Sequence, residues 1–266
     1  MKTVWRLLDQ GPGPPTYNMA VDEALLASHV DKRGPATLRF YQWSTPTLSL
    51  GAGQKWPVQP QEQVARDLGL AVVRRPSGGR AVLHGGDLTY SVVAGVWEGF
   101  PVSTTAVYRR LAEALRTGLQ RLGLAVESGT GFRFATSFAC FTWAAPADLT
   151  WRGKKFMGSA QVWRGQSFLQ HGTIILEPQD EVWRRLLGQG ETGSPRPWPM
   201  ISLAEILADP LALAALKTAL LQGFEEVLKV AFKSGELSEQ ENIRVEAGCL
   251  PIPGSSSRSF HHKLKF

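Results

Sequence analysis

The segment Arg74-Arg75-Pro76-Ser77-Gly78-Gly79-Arg80-Ala81-Val82-Leu83-His84 decides the fold. Residues 70–74 are an apolar run of strand length, and Pro76 stops it. Gly78 and Gly79 then let the backbone turn with φ > 0 and allow a ligand to approach it closely. A strand resumes at 81–83. Backbone N–H groups in such a turn, together with Arg75 and Arg80, can hold a carbonyl, a carboxylate or a phosphate. Taken alone, the same residues also read as a glycine-rich hairpin with a solvated arginine pair.

The pattern around this segment alternates between strands and helices. Strands are expected at 4–8, 37–41 and 47–50, the last two separated by the turn Ser44-Thr45-Pro46. Asn18 is expected to cap a helix running through Val21, Leu25 and Leu26. A short amphipathic helix covers 61–68, and a strand follows His84-Gly85-Gly86 at 88–94. Val107, Leu111, Leu115, Leu119 and Leu122 give 105–122 the apolar spacing of a long helix. Residues 148–151 and 155–163 form a strand pair turned at Arg152-Gly153, and Arg164-Gly165-Gln166 turns into a strand at 168–176. A glycine- and proline-rich loop at 188–199 leads to helices at 203–207, 210–230 and 238–245. Strands crowd the first 176 residues and helices the end, which argues α+β rather than doubly wound α/β. The expectation is mixed, largely antiparallel sheets packed with helices. A single domain spans 1–250, helical from about 201, and 251–266 form a basic tail.

The chain has 266 residues, 43% hydrophobic and 20% charged, a globular balance that excludes a mostly disordered protein. Its first ten residues hold no apolar core of signal length, and the richest apolar stretch, 211–224, is cut by Lys217. Neither export nor membrane insertion is expected. Cys140 and Cys249 are too few for a disulfide scaffold, which suits thiols in a reducing cytoplasm. Basic residues outnumber acidic ones by 29 to 23, giving a net charge of +6, but no run of four occurs. That dispersal favours an acidic protein partner over nucleic acid. The five histidines lack zinc-protease spacing and no CxxC occurs, so no metal is expected. Gly51-Ala52-Gly53 lacks the third glycine of a dinucleotide loop. Gly165-Gln166-Ser167-Phe168-Leu169 lacks the last glycine of a nucleophile elbow.

Two further stretches carry chemistry. In Gly153-Lys154-Lys155-Phe156-Met157-Gly158-Ser159-Ala160-Gln161, two lysines open a strand and small residues follow. Side-chain alternation points Lys155 inward if Lys154 points out, and Gly158 and Ser159 leave room beside the backbone. Such lysines also serve as edge-strand guards. Cys140, in Phe138-Ala139-Cys140-Phe141, reads either as an inert buried thiol or as a nucleophile activated by a nearby ammonium. Cys249 has no chemistry around it and reads as incidental.

Together these segments resemble the lipoate–protein ligase A, octanoyltransferase and biotin ligase superfamily. The matching pieces run in order: Asn18–Leu26, Tyr41–Gly51, Arg74–His84 with Asp87–Ser91, Gly153–Gln161, and Gln170–Leu176. They span roughly residues 1–210. The resemblance implies a biotin/lipoate ligase-like catalytic domain. ATP-dependent ligases carry Ser-Gly-Gly-Gly-Ala where this chain has Ser77-Gly78-Gly79-Arg80-Ala81, which is similar to octanoyltransferases of the LipM type. Those enzymes also carry a cysteine ahead of the lysine strand, as Cys140 stands fifteen residues ahead of Lys155.

The resemblance implies transfer of octanoyl from octanoyl acyl carrier protein to a lysine ε-amine on a lipoyl domain. The acceptor is then a glycine cleavage H protein or a dehydrogenase E2 subunit. It assigns Cys140 as nucleophile and Lys155 as its catalytic partner. Arg75, Ser77, Gly78, Gly79, Arg80, Ala81, His84, Gly158 and Ser159 are assigned to the acyl site. It implies no cofactor and no ATP, and a monomer is expected since no heptad or large apolar stripe stands out. An ATP-dependent lipoate ligase and an amidotransferase between lipoyl proteins stay open as alternatives.

Overall fold

The structure, a computed structural model, describes residues 2–55, 59–129, 139–140, 148–187, 200–207 and 211–249. The expected loop at 188–199 and the basic tail at 251–266 lie outside the described residues. The elements run β1 (Thr3–Gly13), α1 (Pro15–Val30), β2 (Thr37–Trp43), β3 (Thr47–Leu50), α2 (Gln59–Asp67), β4 (Ala71–Arg74), β5 (Val82–His84) and β6 (Asp87–Gly95). Next come α3 (Thr104–Gln120), β7 (Glu127–Ser128), β8 (Leu149–Trp151), β9 (Lys154–Arg164) and β10 (Ser167–Ile175). The chain closes with α4 (Asp180–Leu187), α5 (Leu203–Ile206), α6 (Leu213–Leu228), β11 (Val230–Ser234) and α7 (Glu239–Cys249).

An eight-stranded sheet has the order β11-β1-β2-β6-β10-β9-β8-β7, and a three-stranded sheet the order β4-β3-β5. β1 runs parallel to β2 and β11, and β3 parallel to β4. The remaining pairs are antiparallel, so the expected mixed, largely antiparallel α+β fold is the one found.

The large sheet is covered on both faces, and β6 and β10 are buried along their whole length. On one face Leu38, Phe40 and Tyr90 meet Leu111, Leu115 and Leu119 of α3 and Leu220 and Phe224 of α6. On the other, Val93 and Leu169 meet Val21, Leu25 and Leu26 of α1. The small sheet lies on that second side and packs Leu48, Leu50 and Leu83 against Trp183 and Leu186 of α4. No helix among the described residues is long and apolar enough to cross a membrane.

Three expectations need correction. Asn18 is not a cap: α1 begins at Pro15, whose fixed φ suits the first helical position. Asn18 lies inside the helix and bonds the sheet, donating to the carbonyls of Gly13 and Gln42 and accepting from Arg39. The helix expected at 210–230 ends at Leu228, where Lys229 turns left-handed (φ 61°), and Val230–Ser234 is a strand beside β1. The first strand runs from Thr3 to Gly13 rather than stopping at residue 8, with its register broken between Asp9 and Pro12.

Candidate active site

A cleft of about 490 Å³, its open mouth included, lies between the two sheets. One wall is the large sheet, through Tyr41 and Trp43 of β2, Thr89 of β6, His171–Thr173 of β10 and Gly158–Ala160 of β9. The other is the small sheet with its loop, through Ser49, Val82, His84, Arg75 and Gly79, and Cys140 opens onto it.

Cys140 is held by the small sheet. Ala139 forms a parallel bridge with Ala81, and the Cys140 N–H donates to the Ala81 carbonyl at 2.8 Å. Lys155 comes from the large sheet. It is the second residue of β9, and alternation turns it inward, so it is buried while Lys154 is half-exposed. Its Nζ stands 3.9 Å from Cys140 Sγ and donates to Asp148 Oδ2 at 2.7 Å. Burial pulls the Lys155 pKa down, but the charges of Cys140 and Asp148 outweigh it and hold the ammonium above the ordinary lysine value. The sulfur and the ammonium thus meet at the edge of the cleft, one from each sheet.

Arg75 is buried and braces its own loop. Its guanidinium donates to the carbonyls of Ser49, Gly78 and Arg80 at 2.7–2.9 Å. Burial lowers its pKa, and the nearby Cys140 charge acts in the opposite direction. Gly79 takes the left-handed backbone (φ 96°) expected of the glycine pair, whereas Gly78 does not. Arg80 gives Arg75 a carbonyl, and its side chain is not among the residues lining the cleft. Ser77 and Gly78 likewise build the loop rather than the wall, and Ala81 acts through its backbone. Gly158 and Ser159 line the cleft. Ser159 is fixed by Tyr90, with 2.7 Å between the hydroxyls, and its carbonyl accepts from the Tyr108 hydroxyl.

Two carboxylate–histidine–serine chains flank the cleft. Asp87 accepts from His84 Nδ1 at 2.9 Å, and His84 Nε2 meets Ser49 Oγ at 2.9 Å. His84 also stacks on Trp43, with centroids 4.1 Å apart. On the other side Asp22 accepts from His171 Nδ1 at 3.0 Å, and His171 Nε2 meets Ser77 Oγ. Asp22 also accepts from Arg39, Tyr41 and Ser91. Burial alone would raise both carboxyls, but His84 on Asp87, and His171 and Arg39 on Asp22, hold them below the usual carboxylate range. Among the described residues no cluster of His, Cys, Asp and Glu is placed to hold a metal ion.

The sequence reading missed Asp148, Asp22, Asp87, Ser49 and His171 as members of this site. Asp148 stands just ahead of β8, and the pairing of that strand with β9 brings it to Lys155.

The lipoyl protein ligase A/B catalytic domain family matches residues 14–225. The chain is 37% identical to the octanoyltransferase LipM of Moorella thermoacetica, over 91% of this chain and 93% of that protein. It is 36% identical to the octanoyltransferase LipM of Kyrpidia tusciae over the same shares. It superimposes with a TM-score of 0.76 on a solved lipoate-protein ligase A bound with ATP, at 24% identity and covering 94% of each chain, a likeness of fold.

Proposed function

The chain belongs to the lipoyl protein ligase A/B catalytic domain family, and from that premise we propose that it is an octanoyltransferase acting through a Cys140 acyl-enzyme. The observation that carries the reading is the 3.9 Å approach of Lys155 Nζ to Cys140 Sγ at the edge of a cleft between two sheets. Cys140 thiolate attacks the thioester carbonyl of octanoyl acyl carrier protein, forming Sγ–C and releasing the carrier thiolate. The ε-amine of a lysine on a lipoyl domain then attacks the acyl-enzyme. The N–C bond forms, the C–Sγ bond breaks and Cys140 leaves as thiolate.

Lys155 stabilises the sulfur before attack and the carbonyl oxygen as negative charge develops on it. The octanoyl chain lies in the cleft, against Gly158, Ser159, His84 and the Gly79 turn. Arg75, Gly78 and Arg80 keep that turn in place. A thioester is already activated, so the transfer draws on no ATP. A net charge of +6 favours encounter with acidic carrier and lipoyl domains.

Intact-protein mass spectrometry tests this. Wild type incubated with octanoyl acyl carrier protein, without ATP, is expected to gain one octanoyl group and lose it to a lipoyl domain, and Cys140→Ser to gain none. Acceptor modification only when ATP and free octanoate are supplied would overturn the reading.

A further inference from the structure

Asp148 has no part in the transfer as described so far. It stands just ahead of β8, and it and Lys155 are 3% and 2% exposed. An ammonium in so dry a place stays charged only beside negative charge. Among the described residues Lys155 meets the Asp148 carboxylate at 2.7 Å and the Cys140 sulfur at 3.9 Å. Among the described residues the other titratable groups facing this cluster are Arg75 from the glycine loop, Tyr108 from α3 and Tyr90 from β6. Arg75 opposes the charge on Lys155, and burial raises both phenols so that they stay neutral.

Acylation changes this balance, because a thioester sulfur carries no charge. One anion beside Lys155 then disappears at the moment the acceptor amine must attack.

We propose that Asp148 is a positioning residue that keeps Lys155 protonated and in place in the acyl-enzyme, so that the ammonium still faces the carbonyl oxygen during aminolysis. The inference rests on the two-step reading above. Lys155 keeps its proton through both steps. The carrier thiolate released in the first takes a proton from water, and the nitrogen that becomes the amide gives one to water in the second.

The two half-reactions are measured separately: octanoyl uptake by mass spectrometry, and its loss from isolated acyl-enzyme to a lipoyl domain. Asp148→Asn is expected to slow aminolysis at least about tenfold more than it slows acylation. Its aminolysis is also expected to fall, as pH rises, at a lower pH than that of wild type, because the Asp148 carboxylate that raises the Lys155 pKa is gone. Asp148→Glu, which keeps the charge, is expected to restore the wild-type profile. Equal slowing of both steps with an unchanged pH profile would overturn the proposal, as would Asp148→Glu behaving like Asp148→Asn. A wild type that takes up no octanoyl group overturns the two-step reading itself. Circular dichroism checks folding, and should Asp148→Asn not fold, Asp148→Ser carries the same comparison.

Discussion

Ser77 and His171 lie 94 residues apart in sequence and share a hydrogen bond in the interior. Asp22 is an ionised acceptor at His171 Nδ1, so that nitrogen carries the proton and Nε2 accepts from the Ser77 hydroxyl. The bond latches the glycine loop to β10. Ser77→Ala leaves Nε2 unpaired in a buried place and should cost about 1–3 kcal/mol in urea unfolding. The acylation rate should fall more at low donor concentration than at saturation, because the loop shapes the site before the donor arrives.

Lys155 and Asp148 form a buried pair with an asymmetric mutational cost. Lys155→Met takes away the cation paired with a buried carboxylate and should destabilise the fold by about 3–5 kcal/mol. Adding Asp148→Leu removes the buried carboxylate as well and should recover most of the loss. Urea titrations of the two variants measure the difference, and neither should transfer octanoyl at more than a trace of the wild-type rate.

Gly51 tests the loop without touching Cys140. A Cβ there would stand 2.1 Å from the Gly79 carbonyl oxygen, a backbone atom that cannot swing aside. Gly51→Ala should displace the Gly78-Gly79 turn and lower octanoyl uptake about tenfold or more. Cys140 should still react with iodoacetamide within about threefold of wild type, since its partner Lys155 comes from the other sheet.

The parts of the site legible in the sequence are those built from contiguous residues. The resemblance of the surrounding motifs to the LipM type is what singles out Cys140 and Lys155, and the paired glycines single out the loop. The helix on 105–122 and the hairpin at Arg152-Gly153 came from periodicity and turn chemistry. What escaped depends on long-range pairing. Asp22 looked like one more polar residue on a helix until Arg39, Tyr41, Ser91 and His171 surrounded it. Asn18 has the chemistry of a cap, but tertiary bonds to β1 and β2 claim it. Val230–Ser234 continues an apolar helical pattern, and only the open edge of β1 makes it a strand.

Acid should weaken the protein through Asp22 and Asp87. Both carboxyls are held below an unfolded value of 3.8. As pH falls the unfolded chain therefore binds protons first. The stabilisation is complete well above pH 3.8 and drains as pH drops through that value toward the folded pKa. Urea midpoints should decline below about pH 4. Asp87→Asn should be less stable than wild type at neutral pH and lose less on acidification.

The cleft is a seam between two sheets, so a ligand bound there would be part of the architecture. On the proposed reading, an octanoyl chain in the cleft would occupy space that side chains fill elsewhere in the same interior. Replacing Trp43, Val82 or Thr173 therefore alters packing and acyl preference through the same atoms. A lineage drifting toward a longer or shorter acyl group must cross states in which the unloaded protein is overfilled or hollow. Changes in substrate are then tied to compensating changes on the opposite sheet, and the two walls are constrained to evolve as one.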